Sequence, residues 1–362
     1  MKSSIPLARR GTTIASQAGL GERLFASSEE RGFAQKIDDG LALVEVGLLR
    51  EVAFGDDLAD VTGRYLLEAG GKRVRPMLAL LTAQLGDGNT EQVIEAAQVT
   101  EITHLASLYH DDVMDEADVR RGVPSAQNVW GNSVAILTGD LLFARASQLV
   151  ARLGERAIRL QADTFERLVL GQLHETLGPR IDQDPIEHYI GVLADKTGSL
   201  IAAAAQMGVI FSNAPAAYEL PVVTFGEKIG VAFQLIDDVI DLSPRPEQTG
   251  KVPGTDLRAG IATLPLLYLR RDAVHDQEAA ALLARIEREV LPHDAPPAHT
   301  AEADAHLAEA VADLREHEVT RVTLAEARRW ADDAVTALDP LPDGPVKKAL
   351  TRFAESVVDR TK

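Results

Sequence analysis

From about Ala34 to the C-terminus, apolar residues recur at steps of three and four almost without interruption, the spacing of helices with one buried face. Ala and Leu fill most of those positions, and no segment shows the clean apolar–polar alternation of a half-buried strand. Helix punctuation falls where the periodicity breaks. Asn89 with Gln92 predicts an N-cap and its return partner ahead of "VIEAAQVTEITHLASLYHDD". Gly86, Gly88, Gly178 and Pro179 separate other helices. A loop-like "LPHDAPPAHT" sets off Ala-rich, acidic C-terminal helices, expected to form a solvated outer layer of the same domain. No repeat of solenoid period is evident. The pattern predicts one large all-α domain of about a dozen helices over residues 34–362, with residues 1–33 a disordered or loosely attached tail.

Composition narrows the function. At 362 residues and 46% hydrophobic, the chain can bury a sizeable core. Its 37 basic and 55 acidic residues give a net charge of −18, which argues against sequence-independent binding to nucleic acid or anionic lipid. There is no cysteine, so disulfides, thiolate nucleophiles and Cys-ligated metal are excluded. No uncharged apolar stretch reaches the ~18 residues of a membrane span. The N-terminal "MKSSIPLARRGTTIASQAGL" lacks the apolar stretch of a secretory signal; being basic with no acidic residue, it is open to reading as a transit peptide, but a tail on a cytoplasmic protein is expected.

A literal Asp-Asp-x-x-Asp occurs three times, at Asp56-Asp57-Asp60, Asp111-Asp112-Asp115 and Asp237-Asp238-Asp241. Three acids at fixed spacing are expected about once by chance in a chain this acidic, so context must decide. The first triplet follows Gly55 and opens a helix, where carboxylates complement orphan N–H groups and the macrodipole. It needs no further explanation. The other two come late in long apolar helices. His104, Ser107, Asp111 and Asp115 share one helical face, as do Gly230, Gln234, Asp237 and Asp241. Like charges one turn apart disfavour a helix, and burying them unpaired costs several kcal/mol. Either triplet alone reads as a solvated helix end. The pair, flanked by Leu, Ile, Val and Phe, points to a hard divalent cation, Mg²⁺ or Mn²⁺, held by oxygen. Such cations complete their shell with water and substrate phosphate, so a phosphorylated ligand is expected.

Basic residues answer the acids. "GGKRVRP" carries Lys72, Arg73 and Arg75 beside two glycines; Arg120 and Arg121 follow the second triplet; Lys196 lies in "DKTGS" and Lys251 in "TGKVPGTD". Arg grips phosphate bidentately, Lys acts as a point charge, and Gly lets backbone amides approach an anion. Together these clusters predict two diphosphate sites, one held through metal and one directly.

The elements "GGKRVRP", "HLASLYHDDVMDEADVRRGVPS", "GQLHE", "DKTGSL", "FQLIDDVIDL" and "GKVPGTDLRAGIATLPLL" occur in one order. In these the chain resembles the all-trans polyprenyl diphosphate synthases over residues 34–362. The resemblance implies an isoprenoid synthase-like fold around a deep central cavity, a homodimer, and magnesium bound with an allylic diphosphate. By position, it implies that Asp111, Asp115 and Asp237 ligate magnesium, supported by Asp112, Asp238 and Asp241. It assigns Lys72, Arg75, His104 and Arg121 to isopentenyl diphosphate, and Arg120, Lys196 and Lys251 to the allylic diphosphate. Thr197 and Gln234 would aim oxygens at the reacting carbons, with Gln172 and Glu175 nearer the metals. Ile261 departs from the lysine that many short-chain members place after "GTD".

Ala106 and Ser107, one turn before Asp111, are small where shorter-chain members tend to place an aromatic floor. A medium- or long-chain product such as a quinone side chain is therefore expected, able to associate with membranes; geranylgeranyl diphosphate is the alternative. Two other readings stay open, a non-catalytic partner subunit and a terpene cyclase of related fold. Intact triplets and flanking basic residues speak against the first, and the Lys72, Arg75, His104, Arg121 set against the second.

Overall fold

The structure, a computed structural model, describes residues 28–243, 253–291 and 300–360. Lys251 and most of "LPHDAPPAHT" lie outside the described residues. The helices begin with α1 (Ser28–Glu51), α2 (Asp57–Glu68), α3 (Val74–Ala83) and α4 (Glu91–Met114). A hairpin of two-residue strands, Val119–Arg120 paired antiparallel with Val123–Pro124, follows α4. Next come α5 (Ala126–Trp130), α6 (Asn132–Leu153), α7 (Glu155–Leu177) and α8 (Pro185–Leu193). A π-helical turn, Ala194–Gly198, leads into α9 (Ser199–Phe211), and a 3₁₀ turn into α10 (Glu219–Asp241). The chain continues through α11 (Thr255–Arg258), α12 (Leu264–Asp272), α13 (Gln277–Glu289) and α14 (Ala301–Glu316), then α15 (Glu318–Ala337) and α16 (Pro345–Asp359).

The all-α prediction holds, and cap chemistry explains where helices start. Asp56 caps α2 by accepting from the N–H groups of Leu58 and Ala59, while Asp60 accepts from Phe54 and Gly55. The first triplet is therefore a helix N-terminus. Thr90, not Asn89, caps α4, with its hydroxyl accepting from Val93 N. The Asn89 amide is committed elsewhere, donating to the Lys36 carbonyl and accepting from Gln84.

The residues fall into two compact units. The first comprises the chain up to Gln161 with Ala203–Leu220 and Leu341–Phe353. Its centre is α4, buried on nearly every side through Val93, Ala96, Ala97, Val99, Ile102, Leu105, Ala106 and Tyr109. Helix α6 packs on it through Ala135, Leu142, Ala146 and Leu149. Long and apolar enough by composition to cross a membrane, α6 is nonetheless a core helix on this face, and its Arg145 and Arg152 both pair with the buried Glu51 of α1. Close backbone approach is clearest at Gly208, where an added Cβ would lie 2.1 Å from Thr82 Oγ1 and 2.2 Å from the Ala79 carbonyl. Gly208→Ala must displace backbone as well as a hydroxyl that bridges to Ala205 O, so we expect destabilisation of about 2–3 kcal/mol in urea unfolding.

The second unit comprises Ala162–Ala202, Pro221–Pro340 and the chain from Ala354. Here the acidic C-terminal helices are more than a solvated layer. Helix α14 buries Leu307, Ala310, Val311 and Leu314, and Val311 and Leu307 lie against Gly254 in the loop before α11. That loop carries the "GTD" motif, so α14 backs a candidate site.

Candidate active site

Both surviving aspartate triplets sit in the last turn of a helix, α4 for one and α10 for the other. Helix C-termini present unpaired carbonyls and the negative end of the macrodipole, the least favourable place for carboxylates without a cation. The first triplet does the opposite at the start of α2, and the contrast separates decoy from site.

Within each triplet the two adjacent aspartates part company. Asp112 is fully buried: its Oδ1 accepts from Arg120 Nε at 2.6 Å, and its backbone carbonyl from Gln127 Nε2 at 2.8 Å. Burial pushes its carboxyl up, and Arg120 draws it back down. Asp238 is 6% exposed, with Oδ2 accepting from Tyr189 Oη at 2.8 Å and from Leu264 N at 3.3 Å. Burial raises its carboxyl to about 8, against the opposing hydrogen bonds from Tyr189 and Leu264. Asp111 and Asp237 keep partial exposure, and Asp115, the C-cap of α4, is exposed. The inner aspartates are thus buried on structural partners, while the outer ones stay part-exposed, Asp237 with Arg360 against it. Asp241 plays a third part, because its Oδ2 accepts from Asp256 N and its carbonyl from Gly254 N, pinning the loop of the "GTD" motif. Ile261 lies beyond that loop, exposed.

Around the α4 triplet the basic residues form a built cluster. Arg73 is buried, with Nη1 donating to Glu101 Oε1 at 3.1 Å and Gly70 O at 3.2 Å, Nη2 to Leu67 O at 3.1 Å, and Nε to Glu45. Arg121 donates to Leu66 O at 2.7 Å and lies 3.7 Å from Glu101. Gly71 leaves room for both: a Cβ there would sit 2.6 Å from Arg73 Nη1 and 3.0 Å from the Arg121 guanidinium. This glycine serves the guanidiniums rather than the approach of a backbone amide. Arg75 differs from Arg73. Its Nε is buried with no hydrogen-bond partner, and burial lowers its pKa to about 10 in spite of Glu101. Buried guanidinium N–H groups lacking an acceptor call for an anion. His104 is held neutral, far below its ordinary range, first by burial and then by Arg75, Arg121, Arg120 and Arg73. Lys72 is exposed at the edge of the cluster.

Arg73, Glu116 and Arg121 hold left-handed backbone at φ 49°, 49° and 52°, three of the four non-glycine residues with positive φ among those described. Such conformations cost about 1–3 kcal/mol each and persist where surroundings over-determine them, which is characteristic of sites.

In the second unit Lys196 and Thr197 lie on the π-turn, the Lys196 ammonium paired with Glu175. Gln172 is buried with Oε1 lacking a hydrogen-bond partner, and Gln234 is half-buried one turn before Asp237. Sequence reasoning missed Arg360. Its Nη2 lies 2.7 Å from Asp237 Oδ1, and its guanidinium covers the Phe233 ring at 4.5 Å. Nothing in the linear sequence ties Arg360, just past the end of α16, to α10, so no local signal could have found this contact.

Among the described residues, no three His, Asp or Glu side chains converge into a ready-made metal cage. The donor chemistry still suits magnesium, which takes few carboxylates and completes its shell with water and phosphate.

Residues 57–292 match the family described as Polyprenyl synthetase. Nonaprenyl diphosphate synthase of Mycobacterium tuberculosis is 40% identical over 353 residues, 97% of this chain and 99% of that one. Heptaprenyl diphosphate synthase component 2 of Geobacillus stearothermophilus is 35% identical, covering 88% and 95%. The crystal structure of geranylgeranyl pyrophosphate synthase from Corynebacterium glutamicum, complexed with calcium and isoprenyl diphosphate, is similar at a TM-score of 0.76 and 41% identity, covering 93% and 98%. The chain belongs to the polyprenyl synthetase family and is a transferase of prenyl groups.

Proposed function

We propose that this protein condenses isopentenyl diphosphate with an allylic diphosphate, using magnesium (manganese as alternative), and releases a medium- or long-chain polyprenyl diphosphate. The observation that carries the reading is that both triplets lie at the carbonyl ends of α4 and α10, each with its inner aspartate buried on protein donors and its outer one part-exposed.

In this reading Asp111, Asp115 and Asp237 hold the divalent cations, with Asp112, Asp238 and Asp241 in support. When bound, the cations act as Lewis acids that stabilise charge on the departing diphosphate. Lys72, Arg75, His104 and Arg121 hold isopentenyl diphosphate; Arg120, Lys196 and Lys251 hold the allylic diphosphate. Arg75 brings an unsatisfied N–H to the anion, and His104 enters as a neutral side chain, one ring nitrogen donating and the other accepting. The allylic C–O bond breaks, the isopentenyl double bond attacks the cation to form the new C–C bond, and a proton leaves to the released diphosphate. Thr197 and Gln234 direct oxygens at those carbons, and the fixed geometry replaces a bimolecular encounter. Water must be excluded, since it would quench the cation.

The protein is read as a cytoplasmic homodimer, and the exposed apolar residues Ile136, Leu137 and Leu141 on α6 support the association. The heptaprenyl relative, named as a component, keeps the partner-subunit reading alive. Turnover of labelled isopentenyl diphosphate by the isolated protein with Mg²⁺ decides between them.

For product length the small side chains of Ala106 and Ser107 support a long chain, as does the nonaprenyl relative. The geranylgeranyl relative supports the shorter alternative. Ala106→Phe should shorten the main product by at least one isoprene unit on reversed-phase chromatography; an unchanged product would remove Ala106 from the argument.

A further inference from the structure

Asp195 stands immediately before Lys196, an awkward place for a carboxylate beside a lysine proposed to bind diphosphate. Left to itself it would pair with the ammonium or add negative charge where an anion must sit. The structure resolves the conflict with a residue outside every motif singled out above. Arg167, on α7, donates from Nε to Asp195 Oδ1 at 2.9 Å and from Nη1 to Glu227 on α10. Lys196 is thereby left to Glu175 rather than to its neighbour.

The backbone around this contact is tightly enclosed. Gly171, one turn after Arg167 on α7, has no room for a side chain, because a Cβ would lie 2.7 Å from Lys196 N. At the other end of the π-turn, a Cβ on Gly198 would lie 3.0 Å from the Glu227 carbonyl. The turn is thus pressed between α7 and α10, and Arg167 spans the same three elements through its side chain. A π-turn inserts a residue into the helical register and re-aims the side chains it carries, but its hydrogen bonds are less favourable than those of an α-helix. Here the i+5 bond from Ser199 N to Ala194 O closes it, and Ser199 Oγ donates to Asp195 O.

We propose that Arg167 is a positioning residue for prenyl transfer, fixing the π-turn that presents Lys196 and Thr197 and neutralising Asp195 beside the diphosphate. This rests on the reading of Lys196 and Thr197 given above. Arg167 itself touches no substrate.

The test uses Arg167→Met, Arg167→Lys, Arg167→Met/Asp195→Asn and Lys196→Ala, with kcat and both KM values measured and folding followed by circular dichroism and thermal unfolding. Arg167→Met should lose about 10²-fold in kcat/KM for the allylic substrate, as expected for a misplaced catalytic group, with KM for isopentenyl diphosphate unchanged. Arg167→Lys, keeping the charge but not the fork, should fall between. Removing the stranded carboxylate in Arg167→Met/Asp195→Asn should recover about a tenth or more of wild-type kcat/KM, an effect that lost packing alone would not show. Wild-type kinetics in Arg167→Met would overturn the proposal, and so would a loss that tracks unfolding without recovery in the double variant. Wild-type turnover in Lys196→Ala would remove the underlying reading and this inference with it. Loss in Lys196→Ala with full activity in Arg167→Met would remove only the role of Arg167.

Discussion

Asp111→Asn should lower kcat/KM by about 10³-fold, equivalent to ~4 kcal/mol of transition-state stabilisation, while leaving the fold intact. The amide keeps the shape of the carboxylate and its place in the last turn of α4, but loses the charge a divalent cation needs. Asp56→Ala, in the look-alike triplet, should cost about 1 kcal/mol of stability through the lost cap of α2 and leave turnover unchanged. The two variants share a sequence context and differ in which end of a helix they occupy. Turnover of labelled isopentenyl diphosphate, with calorimetric titration of Mg²⁺ in the presence of inorganic diphosphate, measures both effects. Full activity in Asp111→Asn, or activity loss in Asp56→Ala, would show that helix polarity is the wrong criterion for telling ligand from cap.

That criterion was available from the sequence because it depends on local order alone: Gly55 before one triplet, a long apolar run before the others. Helical class was legible for the same reason, since the three-to-four spacing is local. The exchange of Asn89 for Thr90 as cap was not legible, because Asn89 is claimed by Lys36 from far away in the chain. The Val119–Pro124 hairpin was missed since two-residue strands are too short to show a period. The spacing put Asp111 and Asp115 on one face and left Asp112 off it, but not the identity of its partner Arg120. Residues whose role is set by distant partners stayed invisible. Arg360, Arg167 and Glu101 carry no motif, and each acquires meaning only when Arg360 meets α10, α7 meets the π-turn, or α4 meets Arg73.

The clearest case is Arg73, which the sequence groups with Lys72 and Arg75 as anion-binding charge. Arg73→Met should destabilise the protein by about 3–5 kcal/mol, the cost of breaking a buried ion pair by removing one partner. Glu101 is 2% exposed, and with Arg73 gone its nearest guanidinium contact is Arg121 at 3.7 Å, too long for a hydrogen bond. The carbonyls of Leu67 and Gly70 lose their donor in the same step. Since Arg73 also holds left-handed backbone, Arg73→Gly would relieve that strain and still lose every side-chain bond. Comparing the two substitutions in urea therefore separates backbone cost from pairing. If pairing dominates, Gly is little better than Met, and the weakened enclosure of Arg75 and Arg121 raises KM for isopentenyl diphosphate in both. If both variants unfold like the wild type, Glu101 is satisfied without Arg73, and the division of the "GGKRVRP" cluster into one structural and two anion-facing cations fails.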